Sequence, residues 1–191
     1  MQFSGISVIV NGDLDEKGYR GDFDVVMYVV YHEGREYVFT DLDIKPPPPR
    51  VRLHRIEEFP NHFPDDMVFV GHNLPKDMMN DGMCFDLMRE VKALSAKVLQ
   101  NEGKRYPLKD ICRWNKANDY IDVFATQIKK YIAQRKGDHY KLVAWGVGEA
   151  KKCDEAYRKI RKSGRVRFYD QNTGRLASAE ARWHLLGGEE E

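Results

Sequence analysis

The first forty residues contain three β-rich runs separated by turn sequences, and this pattern limits the fold more than any other feature of the chain. Gly5 to Asn11 is apolar and β-branched, while Asp24 to Tyr31 and Arg35 to Thr40 flank the turn sequence His32-Glu33-Gly34. Runs of this kind predict strands, and the last two predict a β-hairpin. The chain is therefore expected to open with three antiparallel strands.

The rest of the chain alternates between strand and helix patterns. Met67 to Gly71 predicts a fourth strand, and Cys84 to Leu87 predicts a short fifth strand or a strand-to-helix turn. The segment from Val51 to Phe59 fits either a short helix or an extended cover. The remaining predictions are helices at Met88 to Gln100, Pro107 to Asn115, Tyr120 to Gln134 and Tyr140 to Lys162, and a strand at Gly164 to Tyr169. The predicted fold class is α/β, with a mixed sheet flanked by helices.

The length of 191 residues favours one domain with a sizeable core. We predict a single domain over residues 1–186, followed by an acidic tail over 187–191. Pro46 to Pro49 form a tetraproline insertion between strands. Proline disfavours both an α-helix and the hydrogen-bond ladder of a β-sheet at these positions. The 31 Lys and Arg residues balance the 30 Asp and Glu residues, so any affinity for nucleic acid must come from a local patch.

The amino-terminal sequence and the cysteines indicate the compartment. The apolar run near the amino terminus has no basic segment before it and is far shorter than a membrane span. The three cysteines, Cys84, Cys112 and Cys153, are odd in number and widely spaced, which predicts neither a disulfide framework nor a thiolate metal site. We therefore expect a cytoplasmic protein without a membrane partner.

Two predicted strands end in polar, acidic sequences. The first strand runs into Asn11-Gly12-Asp13-Leu14-Asp15, and the fourth runs into His72-Asn73-Leu74-Pro75-Lys76-Asp77. Polar residues at strand ends collect along one edge of such a sheet. Carboxylates gathered there would suit hard divalent cations, and a pair of such cations can stabilise a phosphodiester displacement.

These segments resemble a known family. Asp13-Leu14-Asp15, the stretch from Val70 to Asp77, and the helical sequence AWGVGEAKKCDEAY look like the three motifs of the DEDD 3′-to-5′ exonucleases, close to the DEDDy branch, which have a ribonuclease H-like fold. The resemblance covers most of the chain in motif order and approximate spacing. It implies a nuclease, a hydrolase that removes nucleotides from the 3′ ends of single-stranded nucleic acid.

The resemblance also implies roles for individual residues. Asp13, Asp15, Asp77 and Glu149 would bind two Mg²⁺ or Mn²⁺ ions, and Trp145 would take the place of the family's tyrosine. The sequence departs from the family at four places, with Asp15 for Glu, Lys76 for Phe, Glu149 for Asp and Trp145 for Tyr. Tryptophan has no hydroxyl to orient water, because its indole nitrogen only donates. A second register pairs Asn11 with the first acid position and Asp13 with the second.

A locally basic region follows the third motif. Residues from Lys151 to Arg182 include ten Lys or Arg against four Asp or Glu, with Tyr157, Phe168 and Tyr169 among them. Cations that neutralise phosphates and aromatic rings that stack on bases are typical of a nucleic-acid track. The predicted nucleic-acid contacts are His72, Asn73, Lys76, Lys152, Arg158, Arg161, Arg165 and Arg167.

Each candidate has an ordinary structural alternative. Asp13 and Asp15 fit a solvated turn, and Asp77 fits a helix cap. Glu149 fits an ion pair with Lys151 or Lys152, and Trp145 fits a core position. His72 and Asn73 fit a turn whose side chains bond only the backbone. Asp86, which resembles an acid following the second motif in the family, fits the start of a helix.

Two functions follow from these patterns. The first is a metal-dependent exonuclease acting on single-stranded DNA or RNA, alone or beside a helicase or another protein partner. The second is a catalytically inactive module on the same fold that binds nucleic acid or a protein.

Overall fold

A computed structural model describes residues 1–11, 14–15, 18–19, 24–45, 48–79, 82–99, 106–118 and 139–183. Its main feature is a six-stranded sheet in the order β6-β5-β4-β1-β7-β8. The strands of the described residues are β1 Gln2–Asn11, β2 Leu14–Asp15, β3 Gly18–Tyr19, β4 Asp24–His32, β5 Arg35–Thr40, β6 Val51–His54, β7 Met67–Gly71, β8 Cys84–Asp86, β9 Arg165–Asp170 and β10 Arg175–Glu180. The described helices are α1 Leu87–Leu99, α2 Leu108–Trp114 and α3 His139–Ser163, with 3-10 helices at Ile56–Glu58 and Lys76–Met79.

The pairing of the strands confirms the α/β class and the antiparallel opening. β1, β4 and β5 pair antiparallel, whereas β7 and β8 continue the sheet in parallel and β6 adds a parallel strand beside β5. The segment left open by its sequence thus begins as strand β6 and passes into a 3-10 helix. The helix predicted at Tyr120 to Gln134 lies outside the described residues.

The sheet is covered differently on its two faces. Alternate residues of a strand point to opposite faces. Ile9 and Val29 lie on the face that packs against Leu142 and Val147 of α3. Ile6 and Val30 lie on the other face, against an aromatic cluster that includes Phe39 and Phe69. We name these the α3 face and the aromatic face.

Close approach of α3 to the sheet requires glycine at two positions. A Cβ atom on Gly5 of β1 would overlap the carbonyl oxygen of Ala150 in α3, and one on Gly146 would lie 2.6 Å from the side chain of Val29. Residues 146, 150 and 154 therefore form the sheet-facing side of α3, at the spacing of four residues that one helical side requires.

The parallel strands β1 and β7 end at different heights. Gly5 pairs with Val70, so Gly71, the last residue of β7, is level with Ile6. β1 continues for five more residues to Asn11, which is about 17 Å at the usual rise per residue. The polar sequences after these two strands therefore start from well-separated places and not from one shared edge.

The carboxylate of Asp86 closes the turn that follows β7. It accepts hydrogen bonds from the backbone N–H groups of Asn73 and Leu74 at 3.0 and 2.8 Å, and from Met88 and Arg89 at the start of α1 at 2.9 and 3.3 Å. Its side chain is fully buried, with the Arg89 guanidinium 3.4 Å away. The strand therefore stops at His72-Asn73 because Asp86 fixes the chain there, and the helix-start alternative for Asp86 is confirmed.

Within the described part of the chain, no helix combines the length and apolar character needed to cross a membrane.

Candidate functional site

The first predicted motif is only partly described. Asp13 lies outside the described residues. Asp15 and Asn11 are described through their backbone alone, Asp15 in a two-residue strand paired with Gly18 and Asn11 at the end of β1. The choice between the two registers of this motif therefore stays a prediction.

Asp77 lies on the aromatic face. It is the second residue of the 3-10 helix Lys76–Met79, and its side chain is exposed. It borders a pocket of about 210 Å³ whose walls include Tyr28, Phe59 and Phe69. These rings belong to the aromatic cluster, so Asp77 lies on the face of the sheet opposite α3.

Glu149 lies on α3 and pairs with a buried lysine. Its carboxylate is 3.1 Å from the Nζ atom of Lys152, whose side chain is 1% exposed. At about 100° per residue, Glu149 is turned roughly 100° from the sheet-facing side of the helix and Lys152 still further. The ion-pair alternative for Glu149 is confirmed, and Lys152 is too buried to contact nucleic acid as predicted.

The described carboxylates do not fit a two-metal site. Asp77 and Glu149 are on opposite faces of the sheet, and Glu149 already has an ammonium group as its partner. Trp145 is partly buried and packs against the apolar cluster beneath α3, as its core alternative expects. A pair of Mg²⁺ or Mn²⁺ ions needs several carboxylates around one point. Asp77 and Glu149 therefore cannot share such a site.

His72 and Asn73 support the turn after β7. The His72 Nε2 atom lies 2.7 Å from the carbonyl oxygen of Tyr106, so Nε2 donates in this hydrogen bond. Asn73 has a φ of 56°, a left-handed conformation that asparagine tolerates. The His72 hydrogen bond matches the structural alternative for that residue, and the backbone of Asn73 belongs to the same turn. The side chain of Lys76 lies outside the described part of the structure.

The end of α3 and strand β9 form a basic surface. Between Arg158 and Tyr169 the sequence has six cationic residues and no acid. All six are exposed, and we name them together the basic face: Arg158, Lys159, Arg161, Lys162, Arg165 and Arg167.

Strand β9 arranges part of the basic face in a row. Its residues alternate strictly between exposed and buried, so Arg165, Arg167 and Tyr169 point outward. Val166 and Phe168 point inward to the core that α1 and α2 also contact. The outward row therefore places two guanidinium groups and one aromatic ring, 39% exposed, on one rigid surface.

Some cations of the basic face are held by neighbours. The Arg158 side chain donates to Asp154 at 2.9 Å, and the Arg161 guanidinium lies 4.8 Å from the ring centre of Phe3. Arg165 donates to the Ser178 hydroxyl at 2.8 Å. Burial raises the pKa of Asp154, and the hydrogen bond from Arg158 acts against this rise. These contacts orient the cations while they stay open to solvent.

A group of potential metal ligands lies outside the motifs that the sequence indicated. His54, Glu58 and His62 place potential ligand atoms within 4.8 Å of one another. Burial and the neighbouring His54 lower the pKa of His62, while the Arg55 backbone hydrogen bond and then the bond to His54 lower the pKa of Glu58. The sequence signal was the spacing His-x₃-Glu-x₃-His, which spans a strand end, a 3-10 helix and a turn and so has no single periodicity.

No protein-family model matches the chain, and no curated protein matches it. Function is therefore inferred from the geometry of the basic face and of the cluster formed by His54, Glu58 and His62.

Proposed function

We propose that the chain is a nucleic-acid-binding module with a ribonuclease H-like arrangement of strands, and that it binds the backbone and bases of a single strand. The observation that carries this proposal is the basic face, with six exposed cations and no acid over twelve residues of sequence. Cations in this density displace the counterions of a phosphate backbone, which is the main source of sequence-independent affinity.

The outward row on β9 supports binding of a single strand in particular. Arg165 and Arg167 supply charge, and Tyr169 supplies a ring on which an unpaired base can stack. The neighbouring strand β10 places Leu176 beside Tyr169 in the pairing register, and Leu176 is 55% exposed. An aromatic ring with an exposed apolar neighbour is better suited to the face of a base than to a fully paired duplex.

The environment of the described acids favours binding over catalysis. The fourth predicted carboxylate, Glu149, is neutralised by Lys152, and the third, Asp77, is on the other face of the sheet. At the level where β7 ends, β1 offers Ser4, Gly5 and Ile6, and none of these can supply a carboxylate.

The metal-dependent exonuclease is the second candidate. The strand order β5-β4-β1-β7-β8, antiparallel and then parallel, is compatible with the fold that the family resemblance implies. This candidate depends on Asp13 and Asp15, whose side chains lie outside the described residues. The proposed Mg²⁺ or Mn²⁺ cofactor belongs to this candidate function alone.

Binding is tested by fluorescence anisotropy with labelled single-stranded DNA and RNA over a range of salt concentrations. The double variant Arg165→Ala/Arg167→Ala should bind more weakly and should reduce the salt slope by about 0.7 for each phosphate that is no longer neutralised. Tyr169→Ala should cost about 1 to 3 kcal/mol if a base stacks on the ring. Arg55→Ala is the matched control, because Arg55 is also exposed but lies beside the aromatic face and pairs with Glu57. Equal affinity of all variants would refute the proposal.

Catalysis is tested on the same strands, labelled at the 5′ end, with Mn²⁺, Mg²⁺ or EDTA. A ladder that shortens from the 3′ end, and that is lost with EDTA and in Asp13→Ala, would establish the exonuclease. Salt-dependent binding without cleavage is the result that we expect.

A further inference from the structure

The cluster His54, Glu58 and His62 lies far from the basic face along the chain and is built by a short continuous segment. His54 is the last residue of β6, Glu58 ends the 3-10 helix, and His62 lies in the turn that follows. The His62 backbone N–H donates to the Glu58 carbonyl oxygen at 3.1 Å, which fixes the spacing of the last two residues. The three side chains thus converge because of the backbone and not through a chance meeting of distant loops.

The distances are close to those of a metal site. One ligand atom from each residue lies within 4.8 Å of the others, and the His54 Nδ1 and Glu58 Oε2 atoms are 3.2 Å apart. Ligands about 2.0 to 2.1 Å from a tetrahedral zinc ion are about 3.3 Å from one another. The pair of His54 and Glu58 already has this separation, and a ring nitrogen of His62 lies within 4.8 Å of both ligand atoms.

Contacts behind the ligands involve all three of them. Glu58 Oε1 accepts the Arg55 backbone N–H at 3.0 Å, which leaves Oε2 directed to His54. The His54 ring stacks on Phe39 with centroids 5.0 Å apart, and the His62 ring lies 5.5 Å from that of Tyr37. Outer hydrogen bonds such as the one from Arg55 orient metal ligands and strengthen metal binding.

We propose that His54, Glu58 and His62 bind one divalent transition-metal ion, with zinc as the reference ion. Two imidazoles and one carboxylate suit zinc, cobalt, nickel or copper, whereas Mg²⁺ and Ca²⁺ prefer oxygen ligands. Three protein ligands leave a coordination position open. The Glu58 side chain is 45% exposed, so an ion held by it would be accessible to water or to a small ligand. The inference is independent of the proposed nucleic-acid function.

The test is a titration of the metal-free, tag-free chain with Co²⁺, followed by displacement with Zn²⁺. We expect visible absorption of the tetrahedral type that saturates at one ion per chain, is abolished by Zn²⁺ and is unaffected by Mg²⁺. His62→Ala and Glu58→Gln should each weaken binding by more than the roughly 10- to 100-fold that loss of an outer contact costs. Both changes are at exposed positions, and near-UV circular dichroism would verify that the variants fold.

Matched controls make the result specific. Glu57→Gln makes the same chemical change one residue away from Glu58, and among the ion pairs of the described residues Glu57 pairs only with Arg55. His139→Ala removes a histidine that lies outside the cluster. Both should bind like the unmodified chain. An intense sulfur-to-cobalt band that disappears in Cys84→Ser would assign the ion to that thiol and overturn the proposal. The absence of saturable binding, or equal binding by the His62 and Glu58 variants, would do the same.

Discussion

Removal of the Asp86 carboxylate should strongly destabilise the fold. This side chain holds the turn after β7 and the start of α1 together through four backbone N–H groups. Asp86→Ala would leave all four without their acceptor. Asp86→Asn would keep Oδ1, which serves Asn73, Met88 and Arg89, and would turn an NH₂ group toward Leu74.

The expected cost follows from these bonds. Loss of a helix cap costs about 1 kcal/mol. The buried Leu74 N–H left without a partner costs about 1 to 3 kcal/mol, and the half-buried Asn73 N–H adds about 1. We therefore expect Asp86→Ala to lower the free energy of unfolding by about 3 to 5 kcal/mol. Asp86→Asn disturbs only the hydrogen bond to Leu74 and the contact with the nearby Arg89, so we expect it to lower the free energy of unfolding by about 1 to 3 kcal/mol.

The assay is urea denaturation followed by circular dichroism, with Asp77→Asn as the control. Asp77 is exposed in the same connection between β7 and α1, so its change should stay within about 0.5 kcal/mol. If Asp86→Ala is too unstable to purify, Asp86→Asn still gives a measurable value. A loss of less than about 1 kcal/mol in Asp86→Ala would refute the assignment of this side chain as the anchor of the turn.

Three further predictions concern α3 and its contacts. Gly5→Ala should lower the free energy of unfolding by about 3 kcal/mol or more, because its methyl group would overlap the Ala150 carbonyl; an unchanged midpoint in urea would contradict this. Tyr157→Phe should leave the free energy of unfolding unchanged or raise it by up to about 1 kcal/mol. The reason is that the buried hydroxyl lacks a hydrogen-bond partner among the described residues, and burial raises the pKa of Tyr157 to about 12. A lower midpoint of thermal unfolding in Tyr157→Phe would show that the hydroxyl has a partner. Folding raises the pKa of Asp154 above 3.8, so the contribution of this group to stability is present below that pH and is lost as the pH rises through the folded-state pKa. Urea titrations at several pH values should therefore show that the stability of the unmodified chain, relative to that of Asp154→Asn, falls from acid toward neutral pH. A rise in this relative stability would contradict the prediction.

The elements of the fold were largely predictable because each one has a strong local pattern. The helix predicted at Tyr140 to Lys162 is observed at His139–Ser163, and the hairpin around His32-Glu33-Gly34 has the predicted bounds to within one residue. Strand β6 was harder, since its four residues are too few to separate a strand from a helix by periodicity.

The arrangement of the site could not be predicted in the same way. Whether two strand ends meet depends on the pairing register, and β1 extends five residues past the level at which β7 stops. Nothing local to Asn11 or His72 encodes that offset. The burial of Lys152 is likewise a property of the packed helix, because a lysine followed by acids and cations in sequence looks solvated. The basic face was more accessible to prediction, since its charges are contiguous along the chain.

The position of β6 has a consequence for the dynamics of the chain. β6 is an outer strand of the six-stranded sheet and is joined to it through four residue pairs with β5. A segment with so few ladder bonds can open locally at a lower free energy than the central strands, so its amides should exchange with solvent deuterium well before those of β1 and β4. An ion held by His54, Glu58 and His62 would close this segment and slow that exchange without any change at the centre of the sheet. The rate of local opening at β6 would then report metal occupancy directly.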